Sequence, residues 1–345
     1  MKQIHGGDIY RHKGVLDFSS NVNPLGTPQS VIDAAARSLK MVEHYPDIHS
    51  TALRAALGRY ENVPGEQIIL GNGAAEIIFS FVRALNPKKA LLAAPTFAEY
   101  GLALKSAGCE IKTYPMKDLK IGCDFTQYLS GGVECAFICN PNNPTGFLTD
   151  STLLEDIIRV CTENKIYLLL DECFLDFVEQ REKLSMKRLL NESGYLLILN
   201  SFTKRYAMAG LRLGYALSSD RKLLDAMEAV CQPWNISIPA QAAGEAALGQ
   251  TLYLERSRAL VNEQRKFLKE EMKKNGLEVY DSKSNYIFFK GPEDLYDRFL
   301  EKGILIRDCS NYEGLSGGYF RIAVRCKEEN IRLIDALGAI MQSVR

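Results

Sequence analysis

The chain has 345 residues, with 42 lysines and arginines against 42 aspartates and glutamates, so its formal net charge is zero. That balance argues against a general nucleic-acid or membrane-surface binder, which needs a basic excess. Its 46% hydrophobic content is ample for a core. The nine cysteines contain no CxxC pair, and their odd number suits a reducing compartment better than a disulfide framework or a metal site.

The start, Met1-Lys2-Gln3-Ile4-His5-Gly6-Gly7, lacks the apolar core of a signal peptide, and no stretch has transmembrane length, so the expected location is the cytoplasm. Short apolar runs then recur along the chain, at Ile68–Leu70, Ala90–Ala94, Cys135–Cys139, Tyr167–Leu170, Tyr195–Leu199 and Leu213–Ala216. They are short enough for strands buried on both faces. Amphipathic stretches such as Glu76–Leu85, Thr152–Glu163 and Arg221–Val230 separate several of them. This alternation predicts an α/β unit with a mainly parallel sheet, over residues 45–239. After Pro239 a long helical pattern runs to about Lys274. Strand candidates follow at Asn285–Phe289, Ile304–Arg307 and Tyr319–Val324, and a last helix lies near Glu328–Gln342. These segments predict a smaller α+β unit of residues 240–345 joined by residues 1–44.

In open α/β sheets ligands sit at the carboxyl ends of strands, and the chemically capable residues fall there. Ile68–Leu70 leads into Gly71-Asn72-Gly73-Ala74-Ala75-Glu76, small residues that expose backbone N–H groups at a helix start. A tight turn would have the same composition. Cys135–Cys139 leads into Asn140-Pro141-Asn142-Asn143-Pro144-Thr145-Gly146, where Pro144 restrains the Asn143 amide. Tyr167–Leu170 ends in Asp171-Glu172, a carboxylate that is costly at the end of an apolar strand unless paired, although a helix cap is the plainer account. Tyr195–Leu199 leads into Ser201-Phe202-Thr203-Lys204, with Arg212 eight residues beyond the lysine.

A lysine amine, an acid, an amide donor and a phosphate seat are together what pyridoxal 5′-phosphate (PLP) requires. Lys204 can bind the aldehyde and Asp171 can keep the pyridine nitrogen protonated as an electron sink. Asn143 can bond the ring oxygen, and Ser201 and Arg212 can reach the phosphate.

The segments Asn140–Gly146, Asp171-Glu172, Ser201–Lys204 and Gly210–Tyr215 resemble the fold-type I PLP enzymes, in the aminotransferase family nearest histidinol-phosphate aminotransferase. The resemblance spans nearly the whole chain. It implies an aspartate-aminotransferase-like fold with a seven-stranded sheet, and a homodimer whose active sites are shared between subunits. It assigns Lys204 as the Schiff-base lysine and Asp171 as the nitrogen partner, with Ala74 and Ala75 as backbone phosphate donors. It also assigns Phe97 to stacking on the ring, Tyr45 to the neighbouring subunit's cofactor phosphate, and Arg321 to the substrate carboxylate.

Phe174 departs from the pattern, because the aminotransferases usually place a tyrosine three residues after the aspartate. Further segments, namely His5-Gly6-Gly7, Asp17–Gly26, Asp171–Phe174, Gln232-Pro233-Trp234 and Ile306–Tyr312, resemble the threonine-phosphate decarboxylases of cobalamin biosynthesis, which carry phenylalanine there. That second likeness implies a phosphorylated amino acid or amino alcohol as the small-molecule partner. It places His5 and Arg307 on the substrate phosphate and Asn23 near the substrate. Decarboxylation and transamination both remain open at this stage.

Overall fold

A computed structural model describes residues 5–342. Its thirteen strands are β1 (Leu16–Asp17), β2 (Ile68–Gly71), β3 (Lys89–Ala94), β4 (Glu110–Pro115), β5 (Cys135–Cys139), β6 (Tyr167–Asp171), β7 (Leu196–Ser201), β8 (Gly214–Leu217), β9 (Glu278–Val279), β10 (Tyr286–Lys290), β11 (Ile304–Leu305), β12 (Arg307–Asp308) and β13 (Tyr319–Ala323).

Seven of them form the main sheet, in the order β2-β8-β7-β6-β5-β3-β4. Strands β7, β6, β5, β3 and β4 run parallel, while β8 runs antiparallel to both of its neighbours. Helices cover both faces, so β5 and β7 are buried along their whole length and read as unbroken apolar runs. One face packs against helices Thr51–Glu61, Ser151–Glu163 and Ile238–Leu248. The other packs against Gly73–Leu85, Ala98–Ser106 and Arg221–Ala229. The architecture is the expected α/β fold with a mostly parallel seven-stranded sheet.

The edge strand β4 had no counterpart in the sequence reading. Its residues, Glu-Ile-Lys-Thr-Tyr-Pro, are mostly half-buried or exposed, so they lack the apolar run that marks an interior strand. The single helix expected from about Ala240 to Lys274 is two helices, Ile238–Leu248 and Thr251–Lys274, interrupted at Gly249-Gln250. The strand expected over Ile304–Arg307 is also divided. Its first half, β11, pairs parallel with β1, and β12 pairs antiparallel with β13.

A four-stranded antiparallel sheet, β12-β13-β10-β9, builds the second layer system. Its core gathers Phe18, Leu268, Ile287, Phe320 and Leu333. Val31, Ala240, Ala243 and Ala247 join the core beneath the large sheet. Pro239 marks the first turn of a helix, where a missing N–H costs nothing, and not a linker. Among the described residues no helix is long and apolar enough to cross a membrane.

Candidate active site

The carboxyl ends of β5, β6 and β7 and the start of helix Gly73–Leu85 surround a cavity of about 240 Å³. The N-terminal segment and the second sheet close it, so that His5, Arg307 and Arg321 line the same space as Lys204. Ala74, Ala75, Phe97, Asn143, Asp171, Phe174, Ser201 and Arg212 complete the set that the sequence pointed to.

Its phosphate end is built from backbone. Gly73 takes φ +80, and a Cβ there would come within 2.4 Å of the Arg212 guanidinium, so only glycine lets the arginine lie over the helix start. Gly214 on β8 is required for the same reason: its Cβ would meet the Ala74 nitrogen at 2.5 Å. Arg212 itself has φ +57, an uncommon conformation for a residue with a side chain. Ser201 caps the turn Phe202–Arg205, its hydroxyl accepting from the Thr203 N–H at 3.1 Å. Helix N-terminal N–H groups, the Ser201 hydroxyl and the Arg212 guanidinium together make a seat that suits a phosphate dianion.

At the ring end, Asp171 is buried. It accepts from the Cys173 N–H at 2.9 Å and from the Tyr100 hydroxyl at 2.6 Å. Burial raises its pKa, and these two hydrogen bonds oppose the rise. Lys204 is held down to about 8, first by burial and then by the positive charges of Arg321 and Arg212, which Cys173 and Asp171 partly offset. A lysine poised near neutrality supplies free amine as a nucleophile. Its ammonium lies 5.9 Å from the centre of the Phe174 ring, which packs edge-on against Tyr286 at 5.0 Å. Phe97 stands at the cavity wall, edge-on to Tyr100 at 5.5 Å.

Two arginines form the opposite wall. Arg321 donates to the Asn143 side-chain oxygen and, at 2.9 Å, to the Ser19 carbonyl. The Asn21 amide, correctly oriented, accepts from Arg321 Nε at 3.2 Å. Arg307 donates to Asn311 Oδ1 at 2.8 Å and stacks over Tyr312 at 5.3 Å. The two arginines are directly paired residues on β12 and β13. His5 lies 3.6 Å from Glu99 at the mouth.

Two expected residues fall outside this space. Asn23 does not line the cavity: its amide nitrogen donates to the Arg205 carbonyl at 2.8 Å and its oxygen accepts from the Leu25 N–H at 3.1 Å, which fixes the loop behind Lys204. Asn21 lines the cavity in its place. Tyr45 is 77% exposed and stacks on Trp234 at 4.5 Å. Ser19, Thr203, Tyr312 and Tyr100 enter the site or its support without having been singled out. They are ordinary polar or aromatic residues of loops and a helix, and no spacing marks them.

With the fold and the cavity in place, the chain belongs to the aminotransferase class I and II family, whose model matches residues 13–337. The cofactor of that family is PLP, and the phosphate seat, the buried carboxylate, the amide and the depressed lysine all fit it. The chain is 36% identical to threonine-phosphate decarboxylase of Salmonella typhimurium, over 99% of this chain and 97% of that protein. Among solved structures, histidinol-phosphate aminotransferase from Clostridium acetobutylicum superposes with a TM-score of 0.90 at 29% identity, covering 95% of this chain and all of that one. Histidinol-phosphate aminotransferase from Sinorhizobium meliloti, solved with pyridoxal 5′-phosphate, shares the fold with a TM-score of 0.90 at 20% identity, over 100% of this chain and 96% of that one.

Proposed function

We propose that the protein is a PLP-dependent decarboxylase of L-threonine O-3-phosphate, releasing carbon dioxide and aminopropanol phosphate. The observation that carries this reading is the direct pairing of buried Arg307 with Arg321. Like charges directly opposite one another on a sheet repel, and neither guanidinium has a carboxylate partner among the described residues. Four cations, Lys204, Arg212, Arg307 and Arg321, share the cavity lining with one carboxylate, Asp171. Such a site fits several anionic groups at once: the cofactor's phosphate, a substrate phosphate and a substrate carboxylate. Histidinol phosphate brings one phosphate and no carboxylate, so it leaves one arginine of the pair unmatched.

When bound, the cofactor supplies an electron sink for the bond broken at the α-carbon. Lys204 would hold it covalently, with Asp171 at its ring nitrogen, Asn143 at its ring oxygen, and Ser201 and Arg212 at its phosphate. Arg321 grips the substrate carboxylate while Arg307, with His5, takes the phosphate. Holding the substrate at both ends, these two anchors would select which bond at the α-carbon is broken. If that is the bond to the carboxylate, carbon dioxide would leave and a proton, from Lys204 or a water, would take its position. Tyr45, with the exposed Met41, Val42 and Ile48 nearby in the chain, provides an apolar face for a second copy of this chain, in which Tyr45 would reach the partner's cofactor phosphate.

The alternative is transamination of a histidinol-phosphate-type substrate with 2-oxoglutarate, which the likeness to the Clostridium acetobutylicum structure favours. The PLP-loaded protein should release stoichiometric carbon dioxide from L-threonine O-3-phosphate and form no glutamate from histidinol phosphate with 2-oxoglutarate. Glutamate without carbon dioxide would overturn the decarboxylase reading.

A further inference from the structure

We propose that Tyr100 is a positioning residue for the cofactor: its hydroxyl fixes the Asp171 carboxylate in the ionised, correctly turned form that the ring nitrogen needs. The inference rests on Asp171 facing that nitrogen.

The Tyr100 hydroxyl donates to Asp171 Oδ2 at 2.6 Å, and the Cys173 N–H donates to Oδ1 at 2.9 Å. Each oxygen therefore has at least one protein donor, and the Cys173 thiol is a further one. A carboxylate offers about four acceptor positions, so capacity remains for one more donor, and Asp171 lines the cavity. Two donors on two oxygens also stop the carboxylate from rotating. Bonds to the charged form favour it over the acid, which matters here because burial alone drives Asp171 toward the neutral acid. A neutral Asp171 would leave the ring nitrogen without its anionic partner.

Tyr100 is suited to the task by its own surroundings. It is fully buried on helix Ala98–Ser106, stacked on Phe137 at 5.3 Å and edge-on to Phe97 at 5.5 Å. Burial, with the Asp171 charge beside it, raises its pKa well above the ordinary value, so it is a permanent donor. The other titratable groups around Asp171 are Cys139, Cys173, Tyr286 and Lys204. Burial raises both thiols and the Tyr286 phenol, so these groups stay uncharged across the working range and do not replace Tyr100. Through Phe97, the same side chain also touches the aromatic assigned to stack on the ring.

The test uses full-length protein carrying Tyr100→Phe, which keeps the ring and removes only the hydroxyl. Two readouts need no turnover: the equilibrium dissociation constant for PLP, and the pH midpoint at which the bound cofactor's visible absorbance changes. A less positive ring withdraws less charge from the Lys204 linkage, which then keeps its proton to higher pH. The expected result is a midpoint raised by roughly one unit and PLP binding weakened about tenfold. A residue with a merely structural role would lower the unfolding temperature and leave the midpoint alone, and that outcome would overturn the proposal. Asp171→Asn separates the two levels. If it moves the midpoint and Tyr100→Phe does not, the Tyr100 role alone fails. If Asp171→Asn leaves the midpoint unchanged, Asp171 does not serve the ring nitrogen, and the Tyr100 role falls with it.

Discussion

Two clusters of buried charge lie back to back in this molecule, on either side of the turn Phe202–Arg205, and they have opposite characters. Behind the turn, Arg205 pairs with Asp176, and Arg181 lies 2.9 Å from Asp176 and 3.3 Å from Glu61. Lys187 reaches Glu61 at 2.8 Å, Arg181 reaches Glu182 at 2.9 Å, and Tyr215 donates to Glu61. Three cations thus meet two buried carboxylates, Asp176 and Glu61, and the exposed Glu182. Burial alone would raise the Glu61 carboxyl, yet Arg181, Arg205 and Lys187 hold it down to about 2. In front of the turn, among the described residues, Lys204, Arg212, Arg307 and Arg321 line the cavity with Asp171 as the one carboxylate. Residue types are the same in both places. A paired cluster holds the backbone still, and an unpaired one waits for a ligand, so the balance of charge, more than its presence, marks the functional side.

The largest expected effect separates the two sides by chemistry. Lys204→Ala removes the only amine that lines the cavity among the described residues and should cut turnover by a thousandfold or more, roughly the scale of losing a covalent nucleophile. The visible absorbance of the covalently held cofactor should vanish with it, while the far-ultraviolet circular dichroism stays unchanged. Substantial turnover in that variant would show that the catalytic amine lies elsewhere.

Next in size is a contrast in stability. Asp176→Ala strips the partner from Arg205, a fully buried guanidinium, and should cost about 3–5 kcal/mol. Arg307→Leu in phosphate-free buffer should stay within about 1 kcal/mol of the parent, because removing one of two opposed like charges offsets the bonds lost to Asn311. The same Arg307 variant should raise KM for a phosphorylated substrate about tenfold or more. Denaturant unfolding of the two proteins side by side checks the pair. Equal losses would erase the distinction between paired and unpaired charge.

How much of this was legible in the sequence follows the same division. Lys204, Asp171, Asn143 and Arg212 stand at the ends of short apolar strands, and a sheet buried on both faces writes such strands as continuous runs. Their positions could be read because the fold puts ligands at those ends. Arg307 and Arg321 depended on resemblance, since β12 is only two residues long and carries no periodicity. Asn23 does not line the cavity, and a buried asparagine that bonds a backbone carbonyl looks, in sequence, like one that faces a ligand. Glu61, Asp176 and Arg181 were invisible, because charged residues scattered over more than a hundred positions look like ordinary surface residues until the fold brings them together. Tyr100 went unseen for a related reason: an aromatic on a helix normally signals core packing, and here it is core packing with a polar tip.

A smaller effect concerns pH. With its pKa near 8, Lys204 is mostly ammonium at pH 7 and mostly free amine at pH 9. Only the amine attacks an aldehyde, so the rate at which the cofactor-free protein takes up PLP should rise with pH and level off above about 8. Replacing Arg321 by Met removes the leading positive neighbour that depresses Lys204, so the midpoint should move upward. Stopped-flow absorbance across the range reads both. The paired cluster shows the opposite sense. Glu61 is depressed in the fold, so its contribution to stability is full above its ordinary value of 4.5 and is lost as pH falls toward 2. Lys204 at the front of the turn therefore titrates near neutrality, and Glu61 at the back only in acid.

The smallest expected effect comes from Phe174, which lies within the unpaired cluster and carries no charge. Its ring packs on Tyr286 and lies near the Lys204 ammonium, so it shapes that corner of the cavity by volume and offers no hydrogen-bond donor. Phe174→Tyr adds one hydroxyl beside the amine. If that hydroxyl reaches the cofactor's ring oxygen, it stabilises negative charge there, and the neighbouring linkage gives up its proton more readily. The absorbance midpoint should then fall by roughly half a unit, opposite in sign to the Tyr100→Phe shift and smaller, because a single added hydrogen bond is worth only about 1 kcal/mol. On the proposed reading, decarboxylation should slow only severalfold, since Arg307 and Arg321 would still fix the substrate. Any glutamate formed from an amino donor and 2-oxoglutarate should increase relative to carbon dioxide. A midpoint that stays in place would mean that position 174 acts through shape alone, and would leave the choice between the two reactions to the paired arginines.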